Sequence, residues 1–253
     1  MIKGLKMGVR TLAGLTWSIF CCTYALLLTF WSEKNVPFVL RRIGSDLWSK
    51  YMLFIAGNRT IGITSTSENS RPENLPSRAI FVSNHTSQLD INAASYAIPH
   101  PIVFLAKKSI RKVPVLGLLN ERVGTVFIDR RDQQDARQAV LRLQTTLDKD
   151  ISVLVFPEGT RSESGELGSF KKGAFHLALK AGVPIIPLHI HGTRHALPKK
   201  SFFIRTNPIH VRFGNPIFAD SMEAQSLNEM VTKAEDAIRR MQSWHKTHVK
   251  SPD

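Results

Sequence analysis

Residues 11 to 32 carry no charged side chain, and no other feature narrows the possible folds of this chain as much. As a helix the run would be roughly 33 Å long at ~1.5 Å per residue, against about 30 Å for a bilayer core. A buried core helix is a poor reading. Trp17, Phe20, Tyr24, Leu27, Phe30 and Trp31 surround the helix on every face. A cleaved signal peptide has the right basic start in Lys3, Lys6 and Arg10, but the apolar stretch is too long and no small-residue cleavage site follows. Lys34, Arg41, Arg42 and Lys50 come after the run, so the basic bias that orients a single span picks neither end and both ends look cytoplasmic. Val36 to Gly57 mixes Val39, Leu40, Ile43, Leu47, Leu53 and Phe54 with Arg41, Arg42, Asp46 and Lys50, the pattern of an amphipathic helix at a membrane surface. The expectation is a two-helix membrane anchor over residues 1–60 that dips into one leaflet, on the cytoplasmic face of an inner or plasma membrane.

Beyond residue 60 the pattern changes to short β-rich runs between helical ones. The runs 78–83, 101–105, 124–128, 151–156, 184–190 and 209–213 predict strands. Ala136, Val140, Leu143 and Leu147 recur at helical spacing, as do Phe175, Ala178 and Leu179, with Gly182 ending that helix. A last helix carries the stripe Leu227, Met230, Val231, Ala234, Ile238 and Met241, which reads as core packing. Residues 64–76, rich in Ser, Thr, Asn, Glu and Pro, predict a surface loop. The fold class is therefore α/β, a largely parallel mixed sheet flanked by helices over residues 61–253, preceded by the two-helix anchor.

Composition then removes several function classes. At 43% hydrophobic the chain can bury a core, which excludes wholesale disorder. The two cysteines, Cys21 and Cys22, are adjacent within the apolar run, which excludes a disulfide scaffold, and no Cys/His cluster has zinc-finger spacing. A net charge of +14 suggests nucleic acid or an anionic membrane surface, and the N-terminal run favours the membrane. Aromatics do not interleave with the basic residues, so no nucleic-acid partner is expected.

In a parallel sheet, chemistry sits beyond the carboxyl ends of the strands. After the first strong strand comes Asn84-His85 with Asp90 five residues on. Histidine accepts a proton near neutral pH, and a carboxylate can orient it. Five residues of continuous helix turn by about 140°, so the pair can meet only if His85 lies in the turn and Asp90 reaches back from the helix. Thr86 or Ser87 could cap that helix. The run Phe156 to Ser162 presents Arg161 at a strand end, suited to gripping a phosphate. Glu158 could hold Arg161 or bond a substrate hydroxyl. Lys107, Lys108, Arg130 and Arg131 also follow strands, so several cations converge on the edge that carries His85 and an anionic substrate is expected. No G-x-S-x-G elbow, P-loop or G-x-G-x-x-G is present, and a base without a protein nucleophile suggests that the substrate supplies its own.

Four segments in order resemble the glycerolipid acyltransferase family, and most closely its 1-acyl-sn-glycerol-3-phosphate (lysophosphatidate) branch. They are N-H-x-x-x-x-D at 84–90, G-x-x-F-I-D-R at 124–130, F-P-E-G-T-R-S at 156–162 and V-P-I-I-P at 183–187. The resemblance implies acyl transfer from acyl-CoA or acyl-carrier protein to the free hydroxyl of lysophosphatidate, giving phosphatidic acid. It implies His85 as general base, Asp90 as its orienting partner, and Lys107, Arg130 and Arg161 on the phosphate. Glu158, Gly159 and Thr160 would shape the acceptor site, and residues 184–187 would line the acyl side. It implies no metal and no bound cofactor. Another lyso-lipid or glycerol 3-phosphate as acceptor, and a membrane-tethered hydrolase in which His85 activates water, remain open alternatives.

Overall fold

The computed structural model describes residues 2–129, 132–219 and 224–249. Helix α1 (Ile2–Trp31) contains the uncharged run. After a 3-10 turn, one continuous helical segment follows: α2 (Val36–Phe38), a π-helical stretch Val39–Ser49 and α3 (Lys50–Ile55). The body comprises β1 (Gly62–Ser65), β2 (Ile80–Ser83), α4 (Leu89–Ala97), β3 (Ile102–Lys107), α5 (Leu116–Arg122), β4 (Val126–Ile128) and α6 (Gln133–Leu147). It continues with β5 (Ser152–Val155), α7 (Gly173–Ala181), β6 (Ile185–His191), α8 (Thr193–Ala196), β7 (His210–Phe213) and α9 (Ala224–His248).

The strands form one sheet in the order β1-β7-β6-β2-β5-β3-β4. From β6 to β4 every neighbour is parallel, whereas β7 runs antiparallel to β6 and parallel to β1. The sheet is mixed, as the sequence predicts. Strand residues alternate between two buried faces. Ile80, Val82, Val153, Val155 and Ile185 pack under α6, α7 and α9, while Phe81, Leu154 and Ile186 pack under α3 and α4. Burial on both faces is why these strands read as continuous apolar runs rather than alternating ones.

One strand departs from the sequence reading. β1 begins at Gly62 and takes in Thr64 and Ser65, the start of the predicted surface loop. It is an edge strand, half-buried and polar, and so leaves no apolar run to read.

Helix α1 lies along the body instead of projecting from it. Near one end, the Thr11 hydroxyl donates to Phe202 O (3.0 Å) and accepts from Ile204 N–H (3.2 Å). Near the other, Arg122 donates to Thr29 O (2.7 Å), and its guanidinium lies 4.2 Å over the Phe30 ring. Between them, Trp48 Nε1 donates to Ser18 Oγ (2.9 Å), and Cys21 and Ala25 pack on Val39, Ile43 and Val123. The opposite face, with Leu12, Leu15, Ile19 and Leu27, is exposed. The apolar run is therefore apolar all round for two reasons: one face meets protein and the other meets none. Leu53 and Ile55 of α3 belong to the core around α4, so packing is continuous across residue 60.

The last turns of α9 carry His245 onto β6 and β7. Its ring contacts those of His189 (4.8 Å), His191 (5.3 Å) and His210 (6.1 Å). Nearby, Arg212 lies 3.8 Å over the Trp244 ring. Burial, with the positive charges that His191, His210 and Arg212 would carry beside it, pushes His245 down to about 3. Burial also lowers His189, His191 and His210. A histidine depressed in the folded state contributes full stability above the unfolded value of about 6.5 and loses it as pH falls toward the folded value. For His245 that window runs from about 6.5 to about 3, where the loss is on the order of a few kcal/mol. His245→Phe is expected to flatten the acid limb of a thermal-stability profile across that window, and an unchanged limb would remove the cluster from acid unfolding.

Candidate active site

Because β2, β5, β3 and β4 are parallel neighbours, the residues that follow them share one sheet edge. Asn84 fixes the exit from β2. Its Nδ2 donates to Ile190 O (2.9 Å) and its Oδ1 accepts from Ile190 N–H (2.8 Å), so the side chain stands in for one more backbone pairing with β6. His85 then lies in the turn and Asp90 in the first turn of α4, the one arrangement in which five-residue spacing lets them meet. His85 Nδ1 is 3.0 Å from Asp90 Oδ2.

Asp90 is fully buried. Its Oδ2 also accepts the Thr86 N–H (2.7 Å) and the Ser87 N–H (2.8 Å), and its Oδ1 accepts the Thr193 hydroxyl (2.5 Å). Four donors hold an acceptor-only carboxylate, which places the proton of His85 on Nδ1 and leaves Nε2 to receive another. The His85 ring stacks on Phe156 with centroids 4.0 Å apart, which fixes its plane. Neither predicted cap takes the N-cap position, which is Gln88 without a side-chain cap bond; the Ser87 hydroxyl, one residue earlier, accepts the Leu89 N–H (3.1 Å).

Of the two roles that its sequence position suggested, Glu158 does not take the first, a bond to Arg161. Its carboxylate accepts the backbone N–H of His85 (2.8 Å) and of Gly168 (2.9 Å). Burial raises its pKa, against the lowering effect of those two bonds. It braces the β2 turn against the loop after β5, and Ser162 N–H adds a second tie by donating to His85 O (2.7 Å). Gly159 has φ +76°, and a Cβ there would sit 3.1 Å from Lys171 Nζ, so the lysine closes over the turn. Thr160 is exposed, and Arg161 is half-buried with no hydrogen bond or ion pair from its guanidinium among the described residues. Lys107 is exposed at the end of β3. Arg130, and Arg131 with it, lies outside the described residues.

An apolar cavity of about 160 Å³ opens beside this turn, lined by Leu105, Ile128, Ala139, Leu143, Val155, Phe156, Pro157, Gly159, Lys171, Gly173 and Ala174. Its walls come from β3, β4, β5, α6 and α7. Ile185 and Ile186, by contrast, are buried in the sheet interior, so the 184–187 stretch does not line this cavity. A larger groove of about 940 Å³ runs along the outer edge of β4, away from His85.

Sequence reasoning missed three residues. Thr193 reaches Asp90 from 103 positions away. Lys199 Nζ donates to Arg161 O (2.9 Å) and pairs with Glu163 (3.3 Å). Lys171 covers Gly159.

A family model described as Acyltransferase matches residues 66–191. The 1-acyl-sn-glycerol-3-phosphate acyltransferase of Cocos nucifera is 36% identical over 72% of this chain, and the enzyme of the same name from Limnanthes douglasii is 36% identical over 66% of it. The chain spans 57% and 60% of the length of these two relatives. The crystal structure of the 1-acyl-sn-glycerophosphate (LPA) acyltransferase PlsC from Thermotoga maritima superposes with a TM-score of 0.78, covering 98% of this chain and 100% of that one at 23% identity. That likeness is one of fold.

Proposed function

Since the chain belongs to the acyltransferase family, we propose that it transfers a fatty acyl group from a thioester, acyl-CoA or acyl-carrier protein, to the free hydroxyl of 1-acyl-sn-glycerol 3-phosphate, forming phosphatidic acid. The observation that carries this reading is the His85–Asp90 pair at 3.0 Å, buried at the edge where the matched motifs meet. His85 Nε2 takes the proton of the acceptor hydroxyl as its oxygen attacks the thioester carbonyl. The tetrahedral adduct collapses, the C–S bond breaks, and the imidazolium returns its proton to the leaving thiolate. Asp90 holds the tautomer and offsets the imidazolium charge. A thioester is already activated, so alignment of the two reactants supplies much of the remaining acceleration. Arg161 and Lys107 would take the acceptor phosphate, and Arg130, the third cation expected there, lies outside the described residues. The reaction calls for no metal and no bound cofactor.

The acceptor and product lie in a bilayer, and the exposed apolar face of α1 is the surface that would meet it. With the helix held to the body near Thr11 and near Thr29, attachment to one leaflet fits better than a crossing. Thin-layer separation of products from labelled acyl-CoA and a panel of lyso-lipids tests the proposal. Phosphatidic acid from lysophosphatidate supports it. Free fatty acid alone would point to a hydrolase, and acylation of a different lyso-lipid alone would replace the acceptor.

Two variants separate binding from chemistry. Arg161→Ala is expected to raise the acceptor KM about tenfold or more with kcat little changed, as loss of a charge-assisted grip does. An unchanged KM would take Arg161 off the phosphate. Thr193→Val removes one of four donors on Asp90 without touching substrate. It is expected to lower kcat about tenfold at constant KM, with Thr193→Ser restoring the rate. A rise in KM instead would mark Thr193 as part of the acceptor pocket.

A further inference from the structure

Between α8 and β7 the chain makes a tight turn with two adjacent phenylalanines at its tip. Phe202 is 85% exposed and Phe203 50% exposed, whereas the next residue, Ile204, is buried. The turn is built to present them. Ser201 N–H donates to Pro198 O (3.0 Å) and Phe203 N–H donates to Ser201 Oγ (3.0 Å). Thr11 of α1 bonds both Phe202 O and Ile204 N–H, and Ile204 Cδ1 would lie 3.4 Å from a Cβ at Gly14. Two large apolar rings are thus left in water beside a helix on which Leu12 and Leu15, next to Thr11 and one turn beyond it, are also exposed. Two exposed cations flank the rings in sequence: Lys200, which pairs with Glu163 at 3.0 Å, and Arg205, which has no ion-pair partner among the described residues.

We propose, taking the attachment of α1 to the bilayer as given, that the Phe202–Phe203 turn is a second membrane contact, inserting both rings below the headgroups of an anionic leaflet while Lys200 and Arg205 meet its phosphates. Aromatic rings beside cations suit the interfacial zone, where apolar insertion and attraction to anionic lipid add. The same turn is tied to the active site. Lys199 Nζ bonds Arg161 O at 2.9 Å, and the Ser87 hydroxyl donates to Leu197 O at 2.7 Å. Insertion of the tip therefore fixes the height of Arg161 and His85 above the lipid, so that an acceptor needs to rise only partly out of the leaflet to reach the base.

The test uses the full chain reconstituted in phosphatidylcholine vesicles containing phosphatidylglycerol, with Cys21 and Cys22 replaced by alanine. An environment-sensitive fluorophore is attached at Phe202→Cys, at Leu15→Cys on the exposed face of α1, or at Glu68→Cys beyond the opposite end of the sheet. Brominated lipids should quench the probe at 202 and at 15 but not at 68. Phe202→Asp combined with Phe203→Asp should weaken vesicle binding about tenfold at low salt. Quenching at 15 without quenching at 202 would overturn the proposal and leave the α1 contact standing. Quenching at neither would overturn the attachment of α1 as well. A 202 probe that responds only to added acyl-carrier protein would reassign the turn to a protein partner.

Discussion

His85→Ala is expected to lower kcat by about 10³–10⁴-fold, the range set by loss of a general base together with its oriented partner, while the protein stays folded. Both halves of that statement come from the site. No other imidazole is bonded to Asp90 among the described residues, so no neighbour can take over the proton. Asp90 would not be stranded, because Thr86 N–H, Ser87 N–H and the Thr193 hydroxyl still hold its oxygens. Removing one donor from a carboxylate that keeps three is a modest loss, and the vacated volume lies next to Phe156 at the edge of the site. Circular dichroism and a melting curve check the fold, and initial rates with lysophosphatidate check the chemistry. A folded variant that retains a tenth of the rate or more would take the proton transfer away from this ring.

Gly192→Ala is expected to destabilise the protein by about 4 kcal/mol or more, an exceptional value for one methyl group, and to lower kcat in the fraction that folds. Gly192 has φ +89°, a region where a side chain is strained, and a Cβ there would lie 1.9 Å from Pro208 O, a backbone atom that cannot swing away. The Gly192 carbonyl is also held by Asn207 Nδ2 at 2.8 Å, so the strand exit and the β7 approach must move together. The next residue is Thr193, the donor to Asp90. A shift of the backbone at Gly192 therefore reaches the base through Thr193 and Asp90. Denaturant unfolding measures the first effect and single-turnover rates the second. A loss of less than 1 kcal/mol would mean that β6 and β7 yield where their pairing suggests they cannot.

The contrast between these residues explains what the sequence makes legible. His85 and Asp90 are local partners, and helical geometry with a spacing of five admits only the turn-and-reach-back arrangement that the structure contains. The strands β2, β5 and β6 are legible because both of their faces are buried. The backbone partners of Glu158 are not legible in the sequence, because they are N–H groups, one of them 73 residues away, and every residue but proline has such a group. Thr193 is hidden for the same reason of distance, and β1 because an edge strand of Gly, Ile, Thr and Ser has no apolar signature. Gly192 is equally silent, since it looks like any other glycine until the chain that approaches it is in place, whereas Gly182, also at positive φ, is marked by the helix that it ends.

The grip of the body on α1 near Thr11 and near Thr29 has a thermodynamic corollary. If lipid covers the free face of this helix, lipid is a ligand of the native state, and folding and partitioning are one linked equilibrium. Melting temperature should then rise with vesicle concentration and fall when detergent strips the belt from Leu12, Leu15 and Ile19. Shortening the chain to remove α1 would not release a water-soluble catalyst, since Val39, Ile43 and Val123 would lose the cover of Cys21 and Ala25 and become a sticky seam.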